Sequence, residues 1–335
     1  MSEVFDVLIV GGGPAGLAAA IAASRRGLSY VVLEKGTLVN SLLHYPTEMV
    51  FFTTPELLEI GGYPFVSPYE KPTRQEALKY YRKVADAAKL DVHFSEPATT
   101  VARRADGGFT VTSQPAAGPA VTRAAHSVVI ASGAYDMPNP LGVPGENLPH
   151  VSHYYKEPHL YYRRRVVIVG GKNSAAEAAL DIFRNGGEVR LVHRGAAMGD
   201  SIKYWVKPDI DNRIKEGSIP ARFNTRVVEI TASDVVLDGP DGRVRERADH
   251  VLLLTGYRSD TTLLRQAGAA IDETIGAPIH NAETYETTTP GLFVIGACVA
   301  GQQSGRIFIE NGRFHGEVAV GIIADRLKRV AIRES

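Results

Sequence analysis

The hexapeptide GGGPAG, Gly11 to Gly16, decides how this chain is read. It follows the apolar run FDVLIV (residues 5–10) and precedes LAAAIAASRRG, which ends at Gly27. A short β-branched run reads as a buried parallel strand, and the alanine-rich run as a helix capped by Gly27. Between them lies GxGxxG. Gly11 permits a tight turn, Gly13 lets a pyrophosphate approach bare backbone, and Gly16 lets helix pack on strand. Pro14 and Ala15 lie between the second and third of these glycines. The free N–H groups there face phosphate. The next strand, SYVVLEK, ends in Glu34 and Lys35. A carboxylate at Glu34 accepts from ribose hydroxyls. Strand, glycines, helix, strand and acid in register form a dinucleotide site.

The unit returns in RVVIVGGKNSAAEAALDIFRNGGEVRLVHRG, residues 165–195. Here Lys172 replaces the middle glycine and Ala175 the third. Gly170, Lys172, Asn173, Ser174 and Ala175 form the phosphate turn. The second strand ends in His193 and Arg194 instead of an acid. A carboxylate there repels a 2′-phosphate, whereas Arg and His pair with it, so this site favours NADPH over NADH. A surface arginine at a strand end is the alternative. Lys203, Tyr204, Trp205 and Arg213 follow, either as further phosphate contacts or as a solvated helix face.

Three more segments end strands in small residues: Ser132-Gly133, Thr255-Gly256 and the run through Gly296. The first two read as crossings between domains, with hinges at 138–149 and 255–259. The reading is an α/β chain with two Rossmann-like dinucleotide-binding domains. Residues 1–149 plus 257–335 make a discontinuous first domain, and residues 150–256 an inserted NAD(P)H domain. A helix beginning near Gly305 carries Ile307, Phe308, Phe314 and Val318 at helical spacing as its apolar face.

Composition narrows the classes. Lys plus Arg and Asp plus Glu number 37 each, so net charge is zero, which argues against a nucleic-acid partner. No apolar run reaches the roughly 18 residues of a membrane span. The N-terminus enters a strand with no targeting segment before it. One cysteine, Cys298, cannot pair internally and fits a cytoplasmic chain. The histidines show no metal-ligand spacing.

HYPTEMVFFTTPELLEIG (44–61), VSHYYKEPHLYY (151–162), GGKNSAAEAAL (170–180), SIKYWVKPDIDNRIKEGSIP (201–220) and RIFIENGRFHGE (306–317) carry a resemblance across almost the whole chain. It resembles the low-molecular-weight thioredoxin reductases, and more closely the bacillithiol disulfide reductase family. The resemblance implies a thioredoxin reductase-like, three-layer ββα build in each domain. It implies FAD in the first site, held by Gly11, Gly13, Pro14, Ala15, Gly16, Glu34, Lys35, His44, Ser132, Gly133, Gly296, Arg306 and Ile307. NADPH belongs to Gly170, Lys172, Asn173, Ser174, Ala175, His193, Arg194 and Gly256. His44, Tyr45, Tyr154 and Tyr155 either line the flavin or merely pack. The helix near Gly305 is expected to aim its N-terminus at the pyrimidine end of the flavin.

The departures bear on function. Thioredoxin reductases carry CxxC just before the second Rossmann strand; VSHYYKEPHLYY has none. Bacillithiol-type reductases carry one cysteine in the first glycine turn, as GGGPCG, and here that position is Ala15. Ala297 stands where many relatives have aspartate. Cys298 is the only thiol left, as a catalytic substitute or a small core filler. The resemblance implies hydride transfer from NADPH to FAD and then to a small-molecule disulfide such as bacillithiol disulfide, by a homodimer or homotetramer. Two alternatives stand beside it: a cysteine-independent ferredoxin, flavodoxin or quinone reductase of diaphorase type, and a non-enzymatic NADPH-sensing flavoprotein.

Overall fold

The computed structural model describes residues 4–105 and 107–334. The strands in chain order are β1 (Val4–Val10), β2 (Tyr30–Leu33), β3 (Val92–His93), β4 (Ala98–Arg103), β5 (Phe109–Ser113), β6 (Val121–Ile130), β7 (Val151–Ser152), β8 (Arg165–Val169), β9 (Glu188–Val192), β10 (Ala221–Arg222), β11 (Arg226–Ile230), β12 (Asp234–Gly239), β13 (Gly242–Arg247), β14 (His250–Leu253), β15 (Ile271–Asp272), β16 (Ala277–Pro278) and β17 (Leu292–Val294). The helices are α1 (Pro14–Arg25), α2 (Asn40–Leu43), α3 (Pro55–Leu58), α4 (Arg74–Ala87), α5 (Asn173–Arg184), α6 (Lys207–Lys215), α7 (Thr262–Gln266), α8 (Ile309–Gly312) and α9 (His315–Glu334).

The chain divides into two compact units. One comprises Met1–His44, Glu48–Met137 and Tyr257–Ser335; the other comprises Tyr45–Thr47 and Pro138–Gly256. The inserted segment therefore starts at Pro138, not at residue 150 as read from sequence. The Pro/Gly-rich stretch is no free linker. Glu146 accepts the N–H groups of Leu141 (2.8 Å) and Gly142 (2.7 Å), and Leu141, Val143 and Leu148 pack on the inserted unit's own core.

In the first unit a parallel sheet runs β3-β2-β1-β6, with β17 parallel to β6. The long β6 also pairs antiparallel with β5 through its first half, and β5 pairs with β4. Alternation along β1 sends Val7 and Ile9 to one face, Leu8 and Val10 to the other. The first face meets α1 and α9. The second meets β4, β5 and α7. Because both faces are covered, the strands need continuous apolar sequence.

Helix α1 ends in a complete Schellman motif. Leu28 N–H donates to Ala23 O (3.1 Å) and Gly27 N–H to Ser24 O (3.0 Å), with Gly27 at φ +68°. Its alanines let α9 approach closely. A Cβ on Gly316 would lie 2.6 Å from Ala19 N and 2.8 Å from its Cα. The buried stripe of α9 is His315, Gly316, Ala319, Val320, Ile323 and Ala324.

That stripe corrects the sequence reading. Phe308, Phe314 and Val318, expected on the buried face, are exposed. No continuous helix starts near Gly305. A single 3-10 turn covers Ser304–Arg306, and the four-residue α8 stops before α9 begins. The side chain of Asn311 sets where α8 starts. It accepts from Phe308 N–H (2.8 Å) and donates to Arg306 O (3.0 Å), so it caps the first turn of α8 and leaves the residues before Phe308 outside the helix.

In the second unit all five strands β10-β9-β8-β14-β7 are parallel. Helices α5 and α6 cover one face, and the antiparallel meander β11-β12-β13 covers the other. Both units thus show the expected layering of sheet, helices and meander.

Gly316→Ala should lower stability by about 1–3 kcal/mol, since backbone cannot yield to the new methyl. A thermal or urea unfolding midpoint equal to wild type would show that α9 has room to move.

Candidate functional site

In the first unit the three glycines of the turn play three different parts. Gly11 has φ +110°, and a Cβ there would lie 2.4 Å from Ala131 O. A Cβ on Gly16 would lie 1.9 Å from Gly11 O. A Cβ on Gly13 would meet nothing within 4 Å. The middle position thus opens on space, at the N-cap of α1, where no side chain caps the first turn. Helix N-termini leave their first N–H groups without intrahelical partners, and these suit an anion.

Glu34 is buried and folds back over the turn. Gly12 N–H donates to its Oε2 (2.7 Å) and Gly36 N–H to its Oε1 (2.8 Å). Burial raises its carboxyl above the usual range, while the two N–H bonds and Lys35 oppose the rise. Each oxygen keeps a second acceptor site for a hydroxyl. Lys35 points to Asp136 instead, 2.8 Å away. The arrangement fits a dinucleotide: open space for phosphates, unpaired N–H groups facing it, and a held carboxylate beside it.

Ala15 is half-buried and touches the C-terminal part of the unit. A Cβ on Gly296, at φ +69°, would lie 2.8 Å from the Ala15 methyl. Ser132 and Gly133 meet Cys298. Its Sγ accepts from Gly133 N–H at 2.9 Å and lies 3.5 Å from Ser132 Oγ. Cys298 has no exposed surface and belongs to the core of the unit. Burial pushes its thiol pKa up. The attacking form of cysteine is the exposed thiolate. Of the two readings of Cys298, its burial favours the small core filler. His44 closes α2, and Tyr135 Oη donates to its carbonyl at 3.2 Å. Arg306 is exposed and Ile307 half-buried. The helix that starts beside them is the four-residue α8, with its N-cap at Phe308, and not a long helix from Gly305.

In the second unit the turn is built differently. A Cβ on Gly170 would lie 2.6 Å from Leu254 O and 2.9 Å from the Ala175 methyl. Glycine at 170 is what leaves room for Ala175. Gly171 lies under the His193 ring, with a Cβ position 2.4 Å from Cε1, and Gly195 covers the ring from beyond, 2.7 Å from Nε2. His193 thus takes the place over this turn that Glu34 takes over the first. Burial, then Arg194, lowers its pKa. A neutral imidazole supplies hydrogen bonding, not charge, at neutral pH. Arg194 is exposed and carries the cation, while Lys172 and Ser174 are exposed at the start of α5.

Other residues are committed elsewhere. Asn173, read as a ligand contact, holds the following loop: its Oδ1 accepts from Lys203 N–H (2.8 Å) and its Nδ2 donates to Ser201 O (3.1 Å). Lys203 pairs with Glu177, and Arg213 with Asp209 and Glu216. Gly256, at φ +88°, accepts from Asn139 N–H at 2.9 Å and belongs to the strand-end turn. Tyr155 Oη donates to Asp181 on α5 at 2.5 Å, which places it in the unit's packing.

His315 was not picked out by sequence, although it lies in RIFIENGRFHGE. It is buried, and its Nδ1 accepts from Gly296 N–H at 3.2 Å. Its ring stacks on Tyr285, centroids 4.1 Å apart. The only sequence signal is a polar residue on the small-residue face of the last helix.

Among the described residues no helix is long and apolar enough to cross a membrane. The model for pyridine nucleotide-disulphide oxidoreductases matches residues 8–296. The chain is 40% identical over 320 residues to the bacilliredoxin reductase Bdr of Bacillus subtilis, covering 95% of this chain and 97% of that protein. It superposes on the bacillithiol disulfide reductase of Bacillus cereus with a TM-score of 0.94 at 38% identity, over 97% of this chain and 100% of that one. The thioredoxin reductase of T. acidophilum shares the fold, with a TM-score of 0.75 at 21% identity, over 98% and 100% of the two chains.

Two measurements test this site. A thiol reagent should find no reactive thiol in the native protein and one after denaturation. Cys298→Ala should keep turnover within about twofold, and lose about 1–3 kcal/mol of stability as Gly133 N–H loses its acceptor. Native labelling together with loss of turnover would restore a catalytic role to Cys298. The second is a pH effect. Burial and His280 push the His315 pKa down to about 4 from 6.5. The unfolded chain takes up this proton first as pH falls, so the contribution to stability is complete above about 6.5 and lost between there and about 4. Denaturation midpoints should fall more steeply over that window in wild type than in His315→Asn; equal slopes would refute it.

Proposed function

The chain belongs to the pyridine nucleotide-disulphide oxidoreductase family, and we propose that it uses NADPH to reduce a low-molecular-weight disulfide of the bacillithiol type. It is a flavoprotein oxidoreductase of FAD and NAD(P)H. The observation that carries the substrate is near full-length similarity to a bacilliredoxin reductase and a bacillithiol disulfide reductase. In the reaction, NADPH, a proton and one disulfide give NADP⁺ and two thiols. The cofactors supply hydride and electron transfer when bound.

This chain's own residues bind and orient. Glu34, pinned by Gly12 and Gly36, presents its remaining lone pairs to ribose hydroxyls. The open face of Gly13 and the N-terminus of α1 receive the FAD pyrophosphate. Gly170 to Ala175 and the N-terminus of α5 receive that of NADPH. Arg194 pairs with the 2′-phosphate, and neutral His193 packs beneath it. At the redox end, the Ala15 methyl offers neither proton nor electron pair, and Cys298 is enclosed. We therefore read disulfide reduction without a mixed disulfide to the protein. The relatives and the single buried cysteine support a place in the reducing cytoplasm. A homodimer or homotetramer is the oligomer we propose.

The missing thiol favours a second reading, a ferredoxin, flavodoxin or quinone reductase. The chain is also 28% identical, over 314 residues, to the ferredoxin–NADP reductase of Thermus thermophilus. Anaerobic spectroscopy separates the two. NADPH should bleach the flavin band, and bacillithiol disulfide should restore it. Restoration only by quinone or flavodoxin would establish the second reading. A bound flavin that NADPH cannot bleach would leave a sensor.

Arg194→Ala should raise KM for NADPH about ten- to a hundredfold, as expected for one charge-assisted bond, and leave KM for NADH nearly unchanged. Equal effects on both coenzymes would remove Arg194 from the 2′-phosphate.

A further inference from the structure

Helix α9 makes two contacts at its N-terminus that converge on the first glycine turn. Gly316 sits on Ala19 of α1, close enough that its Cβ would fall within 3.0 Å of three Ala19 atoms. One residue earlier, His315 Nδ1 takes the buried Gly296 N–H. Gly296 in turn lies against Ala15, at the start of α1. Two consecutive residues therefore set the separation between the N-terminal turn and the C-terminal loop. Both loops belong to the FAD site of the reading above, on which this inference rests.

The ring itself is held on its flat side. Tyr285 stacks on it at 15°, and His280 stacks on Tyr285 at 6.3 Å. Tyr285 adopts φ +62°, a left-handed conformation unusual outside glycine. Its backbone is fixed by Asn281 O, which accepts its N–H at 2.8 Å, and by Val294 N–H, which donates to its carbonyl at 2.9 Å. His280 Nδ1 lies 2.8 Å from Pro278 O. The stack fixes the plane of the imidazole, so that Nδ1 aims at Gly296. An Nδ1 that accepts must be bare, with the proton on Nε2.

We infer that His315 is a positioning residue for the flavin site, holding Gly296 against Ala15 through the acceptor Nδ1. Gly296 has no side chain and a positive φ, so its peptide is free to rotate once that acceptor is lost. Ring and acceptor can be separated by substitution. His315→Phe keeps a ring to stack on Tyr285 and removes the acceptor. His315→Asn places an amide oxygen near the position of Nδ1 and removes the stack.

Wild type and both variants would be compared for FAD content, FAD dissociation constant, flavin band shape and reduction potential, with melting temperature as control. The Phe variant should bind FAD about tenfold or more weakly, as expected for one buried N–H left unpaired, with an altered band or potential. The Asn variant should keep wild-type flavin properties despite a lower melting temperature. The opposite order, with Phe like wild type and Asn perturbed, would overturn the inference and leave only packing. Wild type that binds no FAD would overturn the reading of the site and the inference with it. If the variants do not fold, nitrogen chemical shifts of the wild-type imidazole decide. A bare Nδ1 that responds to FAD removal upholds the role, and a protonated or unresponsive one refutes it.

Discussion

The first unit depends on a contact that only glycine permits, the passage of Gly16 against the carbonyl of Gly11. A methyl at Gly16 would fall 1.9 Å from that oxygen, far inside any non-bonded contact. Because it is absent, α1 starts directly over the end of β1. That start fixes where Gly13 opens and where Ala15 meets Gly296. It also brings the alanine face of α1 to the height at which Gly316 and His315 dock. The turn is therefore the point from which strand, helix and C-terminal loop take their positions.

The two glycine turns solve the same spatial problem with opposite chemistry. Over the first lies a buried carboxylate held by two amides; over the second lies a neutral imidazole packed between two glycines. An acid at the second place would repel a phosphorylated ribose, and an imidazole at the first would hold ribose hydroxyls less firmly. One architecture, used twice, thus carries a different group over each of its turns. What the pair lacks is a nucleophile. Ala15 leaves the first turn chemically silent, so any reduction of a disulfide here falls to the bound cofactors and to positioning by the chain.

Much of this was legible in the sequence, because the glycine turns answer to backbone sterics that tolerate few substitutes. Gly11, Gly13, Gly16 and Glu34 announce themselves, and Arg194 follows from register. The C-terminal segment was not legible in the same way. The spacing of Ile307, Phe308, Phe314 and Val318 mimics a helical face, yet the segment is split between α8 and α9, and small residues, not large ones, pack on α1. Nor does spacing reveal what a side chain is already doing. Asn173 is taken up by its own loop, His193 is desolvated, and the Pro/Gly run after 138 is tied down by Glu146. His315 carries no local pattern at all, since its partner is a backbone N–H from another part of the chain.

The discontinuity of the first unit has a consequence in time. Ribosomal synthesis delivers β1, α1 and β2 early, then the whole inserted unit, and only afterwards β17 and α9. Until those late residues emerge, one side of β6 lacks its parallel neighbour and the alanine face of α1 stands in water. The inserted unit has its full set of strands before that and is free to fold ahead. The turn made first is thus finished last, and a nascent chain stalled before residue 292 would present one completed nucleotide fold beside an open, adhesive sheet.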